Sequence, residues 1–363
     1  MKIVISAWHL KNRNVGIGRY TFHLIENLAR VDHKNQYEIL IPERMHGFQS
    51  WPNIRYRLIP LPVFKRRFWE QVAPLIVGNY DVLHFPYDSC IGGRKRGKFV
   101  VTLHDAKPIL FPQTSNCRNW KQTLKNMITP NPLQKIDHVV TVSECSRRDL
   151  IEKMGISGDR ITVIYQGVDL DRFVPSTPLQ GERFEYTPYV LCVAGTDPTK
   201  NVKNLIVAFA KLSQHIRSQH HLVLVGDVKR NKELQQCVQE QGIAERTFFS
   251  GVVSDPQLVT LYQQASVFVF PSLYEGFGLP VLEAMACGCP VITSNTSSLP
   301  EVVGDSGVLV NPRNREELTE AMTKVLTDPA LSDILRKKGR EQAEKFSWEK
   351  TARETVDLYE RIG

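Results

Sequence analysis

A chain of 363 residues with 42% hydrophobic and 23% charged residues is longer than one hydrophobic core usually serves, so two globular domains are expected. No run approaches the roughly 18 consecutive apolar residues of a membrane-spanning helix, and MKIVISAW enters a strand-like run without a secretory h-region, so a cytoplasmic protein is expected. The net charge of +8 is uneven, with 26 basic against 15 acidic residues over 1–180 and 20 against 23 in the remainder; the basic half points to an anionic partner, whether phosphates, an acidic membrane face or nucleic acid.

In chain order, KIVISAW, YEILIP, YDVLHF, KFVVTLHD, HVVTVS and RITVIY read as buried strands, with helical patterns at Tyr20–Arg30, Phe64–Val77 and Ser143–Met154 between them. Asp169–Pro188 carries three prolines and no periodicity and reads as a linker. Strands resume with YVLCVAG, HLVLVG, RTFFSGVV, SVFVFPS, PVITSN and GVLVNP. Helical patterns follow at Glu316–Leu326, Ala330–Lys345 and in FSWEKTARETVDLYERI. Short apolar runs alternating with helices indicate parallel α/β sheets. Two such series predict two doubly wound domains, 1–172 and 173–345; a single closed barrel is the structural alternative. The tail, 346–363, either caps the second domain or crosses back to brace the first.

Seven scattered cysteines, with no C-x-x-C pair, read as buried free thiols in a reducing compartment. Phe64–Val77 sets Phe64, Phe68 and Val72 on one helical side with Lys65, Arg66 and Arg67 nearby. That is either a buried amphipathic helix with a solvated charge cluster or a contact for an anionic membrane surface. Residues 94–98 (RKRGK) read as a basic loop, and no nucleic-acid motif supports that partner.

The chemistry-bearing stretch is SLYEGFGLPVLEAMACGCPVI, Ser272 to Ile292. A buried strand precedes it, glycines 276 and 278 lie in the connection, and Leu279 opens a helix with Pro280 in its first turn. A helix start leaves N–H groups unpaired and carries about half a positive charge, which suits a diphosphate. Glu275 stands before this anion site and Glu283 near its first turn, two acceptors for sugar hydroxyls. The plain alternative is a glycine turn with a solvated Glu275 and a favourable first-turn acid.

Glu275 and Glu283 resemble the E-x7-E motif of glycosyltransferase family 4, the retaining GT-B enzymes. AMACGCPVITSNTSSLPEVVGDSGVLVNP, the N-terminal GIGRY, TLHD, YQGVDLDRF and FSWEKTARETVDLY extend the resemblance over most of the chain. It implies a GT-B fold, two Rossmann-like domains facing each other across a cleft, with acceptor in the first and nucleotide-sugar donor in the second. It also implies roles. Glu275 would bind the transferred sugar near the reacting centre and Glu283 the ribose hydroxyls. Backbone groups of Phe277, Gly278 and Leu279 would hold the diphosphate. Gly16 and Gly18 would face the donor from the first domain, and His104 would lie beside the donor sugar. Without the family, Gly16 and Gly18 fit a plain tight turn equally well, and a lone His104 at a strand end is more often structural.

Relatives place an arginine–lysine pair near GTDPTKN; here Lys200 is present, but Thr196 and Thr199 stand where arginine often occurs. A lysine is a point charge and does not replace a guanidinium fork, so Lys200 acts alone or with another cation such as Arg19. The resemblance implies a hexosyltransferase using GDP-mannose or UDP-glucose on a saccharide or lipid-linked saccharide acceptor. No metal or other cofactor is expected, nor a nucleic-acid partner. A sugar-nucleotide epimerase on the same architecture is the alternative enzyme, and a non-catalytic nucleotide-sugar binding protein the alternative class. A dehydrogenase is disfavoured because Thr21 stands where G-x-G-x-x-G needs its third glycine.

Overall fold

The computed structural model describes residues 1–12, 16–45, 49–60, 66–89, 96–112, 136–175 and 184–363. Phe64, Lys65, Cys90, residues 94 and 95, Cys117 and part of the expected linker lie outside the described residues. The chain divides into two compact units: Met1–Gly167 together with Trp348–Gly363, and Val168–Ser347.

Unit 1 holds strands β1 (Lys2–Ser6), β2 (Gln36–Ile41), β3 (Ile54–Leu58), β4 (Val82–Phe85), β5 (Lys98–Thr102), β6 (His138–Thr141) and β7 (Ile161–Val163). All pair in parallel, in the order β3-β2-β1-β4-β5-β6-β7. Helices α1 (Gly16–Val31), α2 (Arg66–Ile76), the short α3 (Lys107–Leu110) and α4 (Glu144–Met154) lie between them in sequence. A parallel sheet covered on both faces needs strands apolar throughout, and β1, β4, β5 and β6 are buried almost end to end. The β3 strand was not expected. Arg55 and Arg57 break its apolar run, and β3 sits at the sheet edge, where polar side chains are tolerated.

Two starts differ from expectation. α1 begins at Gly16, not Tyr20, so Gly16 and Gly18 form its first turn and are not a loop ahead of it. Gly16 has φ +47°, and a Cβ on Gly18 would lie 2.3 Å from the Asn12 carbonyl oxygen. Gly18 is therefore needed for close backbone packing. α4 starts one residue later than predicted because Ser143 caps it, its Oγ accepting from Ser146 N–H at 3.0 Å.

Unit 2 holds β8 (Tyr189–Val193), β9 (His221–Val225), β10 (Thr247–Gly251), β11 (Val267–Phe270), β12 (Val291–Ser294) and β13 (Val308–Val310). These form a parallel sheet of order β10-β9-β8-β11-β12-β13. That is the 3-2-1-4-5-6 order of a dinucleotide-type doubly wound sheet. Its helices are α5 (Val202–Ala210), α6 (Gln214–Gln219), α7 (Lys232–Glu240), α8 (Asp255–Gln264), α9 (Leu279–Ala286), α10 (Leu299–Val303), α11 (Arg315–Thr327) and α12 (Pro329–Ala343). Asn231, Asn314 and Asp328 cap α7, α11 and α12. Cys145, Cys192, Cys237, Cys287 and Cys289 are buried and in no disulfide, and burial pushes the Cys192 thiol up to about 12.

The last helix, α13 (Trp348–Ile362), belongs to unit 1 and packs against α1. Its buried face carries Trp348, Thr351, Ala352, Thr355, Leu358 and Tyr359. Trp348 stacks on His23 with centroids 5.0 Å apart, and Tyr359 Oη lies 2.5 Å from Nδ1 of buried His84.

Candidate active site

In an open doubly wound sheet, ligands bind beyond the carboxyl ends of the strands where the strand order reverses. In unit 2 that point lies between β8 and β11. The chain leaving β8 supplies Lys200, and the chain leaving β11 supplies Glu275. Their side chains meet: Lys200 Nζ is 2.7 Å from Glu275 Oε1 and 4.9 Å from the centre of the Phe270 ring.

Short-range chemistry builds both connections. Asp197 accepts from Thr199 N–H at 2.9 Å and from its hydroxyl at 2.8 Å, so Lys200 lies in a one-turn 3₁₀ segment before α5, not in the helix. Thr199 is 1% exposed, so this position is filled by the small hydroxyl side chain that braces the turn. Asn201 takes the left-handed conformation, φ 57°, and its Nδ2 donates to the carbonyls of Pro271 (2.9 Å) and Pro312 (2.7 Å). The lysine turn is thereby tied to the end of β11.

Glu275 is held from several sides. Ser272 Oγ lies 2.5 Å from its Oε1, its backbone N–H donates to Ser297 Oγ at 3.1 Å, and Ser298 Oγ donates to its carbonyl at 3.0 Å. Gly278 adopts φ +122°, a conformation in which any side chain would be strained, and a Cβ there would lie 2.8 Å from Leu299 Cδ2. α9 starts at Leu279 immediately afterwards and adds the partial positive charge of a helix start. Phe277 is buried. Glu283 is the fifth residue of α9, just past its first turn. It is 5% exposed and accepts from the Tyr262 hydroxyl at 3.3 Å. Tyr262, on α8, was missed because nothing local in the sequence marks a tyrosine 21 positions away as its partner.

Unit 1 places His104 where β5 ends. Its Nε2 lies 3.1 Å from the Pro86 carbonyl, its Nδ1 3.2 Å from Gln166 Nε2, and its carbonyl accepts from Ser146 Oγ at 3.1 Å. Tyr20 of α1 meets the ring edge-on at 4.7 Å. Burial holds the imidazole pKa below its usual value. Gly16 and Gly18 open the same α1. Arg19 lies in that turn, in unit 1.

A second polar cluster, not expected from the sequence, gathers at the switch point of unit 1, beyond β1 and β4. Arg66 Nε is 3.0 Å from Glu70 Oε1, its Nη2 is 3.2 Å from Asp88 Oδ2, and its Nη1 donates to His9 Nε2 at 3.2 Å. Ser6 Oγ lies 2.6 Å from Tyr87 Oη. Burial, only partly offset by Arg66, raises the Glu70 pKa to about 7, and burial with Arg66 lowers His9 to about 4. Arg66 thus serves this cluster, which corrects its reading as part of a solvated charge patch.

One Asp-x-Asp triplet does occur, Asp169–Leu170–Asp171. Asp169 is used locally, accepting from Arg172 N–H at 3.2 Å. Among the described residues no group of three or more His, Cys, Asp or Glu side chains could hold a metal ion.

Two Rossmann-like units, each built on a parallel doubly wound sheet, give the chain the architecture of the GT-B class of sugar-transferring enzymes. Residues 15–172 match the family described as Glycosyltransferase Family 4, and residues 179–343 match Glycosyl transferases group 1. The chain is 29% identical, over the full length of both, to O-antigen chain mannosyltransferase B of Escherichia coli. It is 35% identical to the MMP alpha-(1->4)-mannosyltransferase of Mycolicibacterium hassiacum, covering 78% of this chain and 71% of that one. In fold it is similar to sucrose-phosphate synthase from Thermosynechococcus elongatus, with TM-score 0.78 and 24% identity over 100% of this chain and 99% of the other. The chain belongs to the GT-B-fold glycosyltransferases of this family 4 and group 1 type. It transfers a sugar from a nucleotide-diphosphate-sugar donor to an acceptor.

Proposed function

We propose that the chain is a retaining hexosyltransferase that needs no divalent metal. It moves mannose from GDP-mannose to a saccharide or lipid-linked saccharide acceptor, in surface-polysaccharide or glycoconjugate synthesis on the cytoplasmic side. The observation that carries this reading is the Lys200–Glu275 pair, 2.7 Å apart, immediately ahead of the α9 helix start. Mannose is preferred over glucose because both full-length and partial relatives named above are mannosyltransferases.

In this reading Lys200 and the backbone at Phe277, Gly278 and Leu279 stabilise the departing diphosphate, the part of the reaction where negative charge develops. Glu275 orients the hexose hydroxyls, and Glu283, steered by Tyr262, takes the ribose hydroxyls. His104, Gly16 and Gly18 serve the donor from unit 1, and unit 1 takes the acceptor. The departing phosphate oxygen accepts the acceptor's proton, so configuration is retained without a protein base.

The test is a thermal-shift panel of UDP, GDP, ADP and their sugars with EDTA present. A ligand at about 100 times its dissociation constant adds about 2.7 kcal/mol. GDP and GDP-mannose are expected to raise the midpoint. Glu283→Ala is expected to remove about 1.5–3 kcal/mol of that binding, the worth of hydrogen bonds to a charged group. Stabilisation only when a divalent metal is restored, or by none of the nucleotides, would sink the proposal.

The contact with an anionic membrane has its own support. On α2, Phe68, Leu75 and Ile76 are 52%, 45% and 43% exposed and share a helical stripe with Val72. Trp69 and Ala73 fill the core from the other face. Full-length protein is expected to co-sediment with phosphatidylglycerol-containing vesicles, and a Phe68→Glu/Leu75→Glu variant to bind at least several-fold less. Equal sedimentation of the two would remove α2 from any membrane role.

A further inference from the structure

We infer that Gln166 is a positioning residue for His104, its side-chain amide fixing the imidazole as the tautomer that carries its single proton on Nε2. The assignment follows from what each partner can do. The Pro86 carbonyl, 3.1 Å from Nε2, only accepts, so Nε2 carries the hydrogen. The Gln166 amide nitrogen, 3.2 Å from Nδ1, only donates, so Nδ1 presents its lone pair. An amide turned the other way would set its oxygen against that lone pair, so the neutral ring fixes the amide as well. Gln166 is 6% exposed and follows β7, while Pro86 follows β4. The ring is thus gripped from beyond β4, which pairs with its own strand β5, and from beyond β7 at the sheet edge, with Tyr20 of α1 closing one side.

The ionisable groups around the ring are few. Asp88, beyond β4, favours the protonated ring; His84 of β4 and His9, beyond β1, disfavour a second positive charge near them. Burial adds to the case against the cation. A glutamate in place of Gln166 changes this balance, because a carboxylate can only accept and calls for a second ring proton on Nδ1.

The tautomer itself does not depend on the reaction; its consequence rests on the transferase reading above. A ring held neutral puts no positive charge beside a donor sugar whose anomeric carbon becomes electron-poor as the diphosphate leaves. Because both nitrogens are engaged, a sugar hydroxyl that uses His104 must displace Gln166 from Nδ1 or Pro86 from Nε2. His104 then acts as a fixed polar wall and not as a proton carrier.

The experiment is long-range ¹H–¹⁵N spectroscopy of the imidazoles in the full-length chain, with the His104 signals identified by their loss in His104→Asn. The expected wild-type pattern is one protonated nitrogen, Nε2, and one bare nitrogen, Nδ1, from pH 6 to pH 9. In Gln166→Glu both nitrogens are expected to be protonated at neutral pH, the bare-nitrogen signal returning only as pH rises. In Gln166→Leu the pattern is expected to become a mixture of tautomers. A wild-type ring protonated on Nδ1 would overturn the assignment, as would a wild-type pattern preserved in both variants. The wild-type spectrum decides the tautomer even where a variant fails to fold. Because no substrate is present, a negative result here is distinct from failure of the transferase reading.

Discussion

Replacing Glu275 with glutamine is expected to tighten binding of the nucleoside diphosphate while nearly abolishing sugar transfer. In the proposed reading the two effects have opposite signs because Lys200 serves two anions in turn. Without donor, its charge is spent on Glu275 at 2.7 Å, with both side chains partly exposed. The diphosphate must compete for that ammonium. Removing the carboxylate's charge frees Lys200, and a partly exposed pair of this kind is worth about 0.2–1 kcal/mol. GDP should therefore bind about 1.5- to 5-fold tighter to Glu275→Gln by calorimetry. Transfer should fall by about 100- to 1,000-fold, the usual cost of removing one group that acts on the transition state. Lys200→Met should lose a similar factor in transfer and also bind GDP more weakly. Neither change should alter unfolding by more than about 1 kcal/mol. If Glu275→Gln bound GDP more weakly than wild type, Glu275 would be a diphosphate-loop brace, and its assignment to the sugar would be wrong.

Lys200 and Glu275 also mark the limit of what the sequence discloses. Each was legible alone, since a lysine after a strand and a glutamate before a glycine turn are local patterns. Their pairing was not, because it depends on β8 and β11 becoming neighbours at a point where the strand order reverses. The same holds for Tyr262 with Glu283 and for Gln166 with His104. Hydrophobic runs gave most strands of both sheets, because parallel strands buried on two faces are apolar throughout. β3 escaped for the converse reason, its arginines being permissible only at an edge. The start of α1 was misplaced because two glycines weaken any helical signal, whereas packing against His9 and Asn12 requires one of them. Arg66 was read from its basic neighbours as a surface charge. Glu70 is one turn further on and was in view, but Asp88 and His9 come from other segments, and only the fold brings them in.

Unit 1 depends on α13, and Tyr359 is where that dependence is greatest. Its hydroxyl lies 2.5 Å from His84 Nδ1, and Thr102 Oγ1 lies 2.8 Å from Nε2; His84 and Tyr359 are fully buried. Tyr359→Ala leaves a cavity and an unpartnered ring nitrogen, and should destabilise unit 1 by about 3–5 kcal/mol. Tyr359→Phe keeps the volume and should cost about 1–3 kcal/mol. Both can be read without interference from unit 2, because the sequence from 168 to 347 contains no tryptophan; urea unfolding followed by tryptophan fluorescence does not see Val168–Ser347. His84 also sets an acid limit. Burial depresses its pKa from 6.5 to about 3, so above pH 6.5 the ring is neutral both folded and unfolded and costs nothing. Below pH 6.5 the unfolded chain takes up a proton that the folded unit refuses. Stability should then fall with pH down to about 3, by at most about 1.4 kcal/mol per pH unit. His9, depressed to about 4 but more exposed, adds less in the same direction. His84→Asn should therefore be less stable than wild type at pH 8, yet lose less between pH 6.5 and pH 4.5. If both proteins lost the same amount over that interval, the acid sensitivity of unit 1 would have another source, and the buried His84–Tyr359 contact would be a matter of packing alone.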